Sequence, residues 1–344
     1  MFRKRILDLR DHEYSIRLDR NEKVKNWNKK IFLNIIKKNK SYKFNIHPNI
    51  PFFYKIISKY LDVPQENILI TSGIDGATKQ IFETFTRPKD CIIKLNPTWK
   101  MFEVYSKAFK TKALNLNFDK KLELNLKNLK SFFKKKPKLI FLSYPNNPIE
   151  GNLDYNLMKK IIYKTPKSCQ IIIDEAYFGF GSNTFKNLAL KKTNVIVARS
   201  FSKTFGLPSI RLGFLISNKN KINKIAKKRL SYETNMFSMI IAEYFMKNIH
   251  LIKKFQKEII NSRLWLKLQL SKLKVHSYSN SAYGLLIRLE TNNLIHLKKL
   301  FRKNKIYVRF LDYPFKNYIL ITLGPKNIMK NFLNVFKKFI IEYD

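Results

Sequence analysis

The run NVIVARSFSKTFG, residues 194–206, sets a continuous apolar stretch against a polar turn that carries a lysine and closes on glycine. The apolar part lacks hydrophobic–polar alternation, so both faces of the strand it predicts are buried. That is the texture of a parallel sheet covered by helices. Similar short runs recur at 68–71, 91–95, 139–143, 170–174 and 213–217. Between several of them the apolar spacing turns helical, at 77–85, 100–109, 126–135 and 157–163. Strands separated by helical stretches of 10–15 residues predict an α/β fold, with a mainly parallel sheet sandwiched by helices.

Past Lys219 the texture changes. A long helical tract is expected over 219–273, then strands in YGLLIRL (283–289), IYVRFL (306–311) and YILITLG (318–324), a helix near 293–304 and an amphipathic helix over 326–342. This is a smaller α/β C-terminal domain. The expected division is an N-terminal arm and helix (1–50) joining the small domain, a large domain (51–250) and the small domain (251–344). KKKPK at 134–138 reads as a charged turn.

The 344 residues, 45% of them hydrophobic, suffice for a large core. No apolar run reaches the 18 residues that a membrane span needs. The basic N-terminus, broken by Asp8, Asp11 and Glu13, does not match a signal peptide. Cys91 and Cys169 sit in apolar runs without metal-ligand spacing, and are expected buried in a reducing cytoplasm. The formal charge of +44 raises nucleic-acid binding as an alternative. Only 13 of the 68 basic residues are Arg, and the lysines are dispersed, whereas specific readers lean on Arg. A solvated surface is the expectation, and no nucleic-acid module is recognised.

Glycine narrows the search. Average usage would give roughly two dozen in such a chain; there are nine. Most flank polar segments at strand ends, where open α/β sheets bind ligands. These segments are TSGIDG (71–76), YPNNPIEG (144–151), DEAY (174–177) and SFSKTFG (200–206), the last running on to Arg211 and Gly213. Each alone is weak, but their order is not.

Together they resemble the fold-type-I aminotransferases that use pyridoxal 5'-phosphate (PLP), and most closely the histidinol-phosphate aminotransferase family. The likeness spans about residues 21–324. It implies that Lys203 carries PLP as a Schiff base and later serves as general base and acid. Asp174 would supply the counter-charge that keeps the pyridine nitrogen protonated; its alternatives are a helix cap or a metal carboxylate. Tyr177 and Asn147 match the partners of the ring's phenolic oxygen, though Asn147-Pro148 is also a turn signal. Gly73, Ile74 and Asp75, opening a helix near Ala77, would hold the cofactor phosphate with Ser200, Ser202 and Arg211. Arg211 has a structural ion pair as its alternative. Trp99 matches the aromatic that stacks on the ring.

The resemblance has three departures. Where the family has an arginine gripping the substrate carboxylate, this chain has Leu320, which cannot make that fork of bonds. The tyrosine lent by the neighbouring subunit falls near Asn45, with His47 as a substitute. Asn-Pro-Thr-Gly has become Asn147-Pro148-Ile149-Glu150-Gly151, with one residue inserted. Arg309 and Arg288 are both candidates for an acidic substrate group, and Asn21 is a further substrate-side candidate. The resemblance implies a cytoplasmic homodimer that aminates and deaminates a small phosphorylated or anionic amine or amino acid. A decarboxylase resembling threonine-phosphate decarboxylase is the alternative, and a degenerate PLP binder a third.

Overall fold

The computed structural model describes residues 15–39, 45–279, 281–290 and 293–343; the rest of the expected N-terminal arm, 1–14 and 40–44, lies outside them. A short strand β1 (Ile16–Arg17) comes first. The main sheet follows, built from β2 (Ile68–Thr71), β3 (Cys91–Asn96), β4 (Lys112–Asn117), β5 (Leu139–Ser143), β6 (Gln170–Asp174), β7 (Val195–Ser200) and β8 (Gly213–Ile216). The C-terminal part supplies β9 (Ser277–Tyr278), β10 (Gly284–Arg288), β11 (Ile306–Tyr307), β12 (Arg309–Phe310) and β13 (Tyr318–Thr322).

The seven-stranded sheet has the order β2-β8-β7-β6-β5-β3-β4, and only β8 runs against its neighbours. Its central runs are fully buried, as continuous apolar strands require. Ile171, Ile172 and Ile173 are wholly covered, Ile172 on one face and its two neighbours on the other. Burying each contributes roughly 1.5–3 kcal/mol. The fold is therefore α/β as expected. Strand β4 was not foreseen. It is the sheet's edge, its KALNLN run buries only Leu116 fully, and Lys and Asn face water.

Helices flank the sheet, and asparagine repeatedly starts them. The side chains of Asn49, Asn218, Asn235 and Asn293 each accept an amide of the first turn. The expected 219–273 tract is three helices, Lys219–Ala226, Met236–Lys247 and Ile249–Lys272. Apolar periodicity runs through all three, but Asn235 and Asn248 punctuate it. A second sheet, ordered β12-β13-β10-β9 and antiparallel, packs on the helices Ile249–Lys272 and Lys326–Tyr343. Strand β1 pairs in parallel with β11 beside it. Cys169 is buried, but Cys91 is only half-buried, because β3 begins near the rim; both are free thiols. Among the described residues no helix is long and apolar enough to cross a membrane.

Candidate active site

Parallel strands β5, β6 and β7 end side by side, and their register sets Ser143, Asp174 and Ala198 in one row. Further along, Thr71, Gly213 and Ser200 form a second row across β2, β8 and β7. The polar segments picked out by their glycines thus meet along one edge of the sheet.

Asp174 ends the all-isoleucine run of β6 and is 4% exposed. Its Oδ1 accepts the amide of Ala176 at 2.9 Å. Burial pushes its carboxyl up to about 7, against that hydrogen bond and the charge of Lys203. Lys203 lies in the turn after β7, and its Nζ donates to the carbonyl of Arg20 at 3.2 Å. Burial pulls its amine down to about 8, with Glu22 and Asp174 opposing and Arg211 adding to the fall. Thr204, the next residue, donates to the carbonyls of Ala176 and Phe178 (3.1 and 2.9 Å), lashing the lysine turn to the Asp174–Tyr177 turn.

Tyr177 is buried, and burial raises its phenol. Its oxygen accepts Nδ2 of Asn21 at 3.1 Å, which leaves the phenolic proton free to donate elsewhere. Asn21 holds a left-handed backbone (φ 52°) and its amide donates to Oγ1 of Thr322 on β13. The Nδ2 of Asn147 is buried without a hydrogen-bond partner, a donor waiting for an acceptor.

At the other end, the helix opens at Gly73, four residues before the expected Ala77, because Gly73 adopts φ +70° and Ser72 takes the cap position. Ser72 makes no side-chain cap bond, so the first-turn amides of Gly73, Ile74 and Asp75 are free for an anion. The Asp75 carboxylate accepts the Tyr105 hydroxyl at 3.0 Å. A Cβ on Gly73 would lie 3.5 Å from Nη2 of Arg211, so that guanidinium lies close to the helix start. Ser200 Oγ accepts the Ser202 amide at 3.0 Å. Arg211 makes no ion pair among the described residues; its Nη1 donates to the Pro208 carbonyl. Free amides, two serines and a guanidinium are groups that can hold an anion.

A cavity of about 420 Å³ opens between β3 and the small sheet, lined among others by Trp99, Pro148, Lys94 and Arg309. Its lining does not reach Asp174 or Lys203. Trp99 is half-buried at the start of the helix Lys100–Ala108, 6.3 Å from Phe141. Arg309 pairs in register with Leu320, and side chains of such a pair share one face. Arg288 instead pairs with Glu290 at 3.0 Å and is not in the lining. Asn45 and His47 are exposed; His47 stacks on Tyr232 with centroids 4.0 Å apart.

Several further residues of this region are not marked by any of the sequence motifs. Asn146, 1% exposed, holds Thr98, Pro97 and Ile149 through three hydrogen bonds. Lys94 is 5% exposed and its Nζ has one neutral partner, Asn96 Oδ1 at 3.3 Å. A lysine inside the run IIKL was its available signal. Glu175 pairs with Arg199 beneath the site. Glu150, in the lengthened Asn147–Gly151 loop, reaches the turn that enters β10.

Residues 13–315 match the family described as aminotransferase class I and II. The chain is 30% identical to the histidinol-phosphate aminotransferase of Clostridium novyi over 98% of this chain and 96% of that one. It superposes on the histidinol-phosphate aminotransferase of Sinorhizobium meliloti, solved in complex with pyridoxal-5'-phosphate, with TM-score 0.85, 18% identity and coverage of 97% and 93%. L-threonine-O-3-phosphate decarboxylase of Porphyromonas gingivalis aligns with TM-score 0.76, 17% identity and coverage of 94% and 99%.

Proposed function

This chain belongs to the aminotransferase class I and II family, and we propose from that premise that Asp174, Lys203, Tyr177 and Asn147 form its PLP site. It is a PLP-dependent aminotransferase. The residues fit the cofactor on independent grounds. Asn147 offers an orphaned buried amide and Tyr177 an unspent phenolic proton, two donors suited to a ring oxyanion. Asp174 offers a buried carboxylate for a ring cation, and the Gly73–Asp75 amides with Ser200, Ser202 and Arg211 a cup for phosphate. When bound there, PLP supplies an electron sink for a carbanion beside the substrate nitrogen.

The chain's own groups do the rest. Asp174, whose buried carboxyl is raised to about 7 in the cofactor-free protein, would be ionised by a cationic ring nitrogen and would hold that nitrogen's proton in place. Tyr177 and Asn147 would stabilise negative charge on the ring oxygen. Trp99 is the aromatic side chain that would pack on the ring face. Lys203, whose amine burial lowers to about 8 and so brings within reach of physiological pH, would accept the α-proton of the amine substrate and return it as the acid. Asn21 orients Tyr177.

The substrate is a small phosphorylated or anionic amine, and histidinol phosphate, named by the relatives, is the first candidate. Support comes from Arg309, which lines the cavity directly across from the Leu320 position. Its guanidinium has no hydrogen-bond or ion-pair partner among the described residues. The decarboxylase reading rests on fold alone, at 17% identity. We further propose a cytoplasmic homodimer with Asn45 and His47 at the subunit boundary. Exposed Ile36, Ile46, Phe52, Tyr232 and Phe237, on segments that pack near one another, support that face.

The observation that carries the reading is the meeting of Asp174 with Lys203. It is tested by offering amino donors to the PLP-loaded protein. A donor that bleaches the visible band, reversed by a 2-oxo acid, supports transamination. Carbon dioxide release from a phosphorylated amino acid without such exchange replaces it with decarboxylation.

A further inference from the structure

The carboxylate of Glu150 reaches from the loop after β5 to the turn that enters β10. Its Oε1 accepts the amide of Ser281 at 2.9 Å and the Ser281 hydroxyl; its Oε2 accepts the amide of Ala282 and the Ser279 hydroxyl, each at 3.3 Å. The carbonyl of Ala282 in turn accepts Nη1 of Arg263 at 2.9 Å, and Nη2 of Arg263 donates to the carbonyl of Phe180 at 2.7 Å. Arg263 is 4% exposed. Ala282, in the turn entering β10, is therefore held at its amide by Glu150 and at its carbonyl by Arg263. Through it the loop bearing Asn147 is joined to the turn bearing Tyr177.

The backbone at Glu150 cannot drift. Asn146 Nδ2 holds the Ile149 carbonyl at 2.7 Å on one side. On the other, Gly151 sits at φ +58°, and a Cβ there would run into the Leu122 carbonyl and Phe118. With both neighbours fixed, the side chain has a constrained reach, and its hydrogen bonds to Ser279, Ser281 and Ala282 satisfy both carboxylate oxygens.

We propose that Glu150 is a positioning residue: through Ser281, Ala282 and Arg263 it holds the Asn147 amide and the Tyr177 hydroxyl in one arrangement toward the cofactor's ring oxygen. The proposal rests on the PLP reading above. It gives the lengthened Asn147–Gly151 loop an anchor: Glu150 ties it to the turn that enters β10.

The test compares Glu150→Ala, Glu150→Gln and, as a distant core control, Ile161→Val, in PLP-loaded protein. Fewer well-aimed donors make the ring oxygen a poorer anion. The pH midpoint of the cofactor's visible absorbance therefore rises in Glu150→Ala by roughly half a unit. The kcat falls about tenfold, with KM changed far less. Glu150→Gln keeps an oxygen for Ser281 but turns an N–H toward the Ala282 amide, so it falls between; it also carries the test should the alanine variant not fold. Ile161→Val leaves the midpoint unmoved. A folded Glu150→Ala or Glu150→Gln with an unshifted midpoint overturns the proposal. A wild-type protein that takes up no PLP fails the cofactor reading instead, and hydrogen exchange of the unloaded protein then decides. Acceleration in the variant at 144–149 and 178–180 as well as 279–282 supports the clamp, and acceleration confined to 279–282 overturns it.

Discussion

Asp174 and Lys203 stand at the ends of adjacent parallel strands and bias each other's protonation: the carboxyl is held near 7 and the amine near 8, each opposed by the other's charge. Near neutral pH both groups are therefore poised to change state.

The first consequence is a pH dependence of the cofactor-free protein. In the unfolded chain the Asp174 carboxyl ionises near 3.8, in the folded chain near 7. The folded state holds the extra proton between those values, so stability is full below about 4 and falls as pH rises toward 7. The span is on the order of 4 kcal/mol. Lys203, lowered rather than raised, acts in the opposite sense and only above pH 8. Asp174→Asn keeps the oxygen facing Ala176 and removes the titration. Denaturant midpoints across pH 4–8 should converge at the acid end, with the variant increasingly the more stable toward pH 8.

Arg309 carries the substrate reading. Its replacement by Leu should raise KM for anionic substrates about 10–100-fold, the worth of a charged hydrogen-bonded contact of roughly 1.5–3 kcal/mol. PLP uptake should be unaltered, since the arginine is not part of the cup. Steady-state kinetics with one anionic and one uncharged amine check this, the uncharged one being insensitive.

Arg199 and Glu175 make a buried pair at 2.9 Å with side chains 10% and 0% exposed, and Thr184 binds both. Arg199→Met leaves Glu175 charged and uncompensated, so unfolding free energy should drop by about 3–5 kcal/mol. Chemical denaturation measures it.

Gly213 lets the cup close. A Cβ there would stand 2.7 Å from the Arg199 carbonyl and 2.8 Å from the Gly73 Cα, both backbone. Gly213→Ala should therefore cost about 1–3 kcal/mol. It should also weaken PLP uptake, read as a higher dissociation constant in a fluorescence titration.

The sheet was legible in the sequence because its strands are buried on both faces and so read as unbroken apolar runs. At β4 that signal vanished, since an edge strand of Lys, Asn and Leu looks like a loop. The polar turns were legible because glycine is scarce: Gly73 and Gly213 mark real close approaches. What local sequence did not reveal were bonds between distant segments. Thr204 reaches Ala176, Asn21 reaches Tyr177, and Glu150 reaches Ser281 across 131 residues. The helix start at Gly73 is hidden from patterning because its first turn, Gly73–Gly76, holds two glycines and an aspartate, and the helical apolar spacing begins only at Ala77.

The amine that holds the cofactor is the decisive group. Borohydride reduction of the PLP-loaded protein, followed by peptide mass spectrometry, should find the pyridoxyl phosphate on Lys203, with Lys203→Ala yielding no specific adduct and no visible band. A reduced adduct on another lysine with the Lys203 peptide unmodified, or an undiminished band in Lys203→Ala, would contradict it.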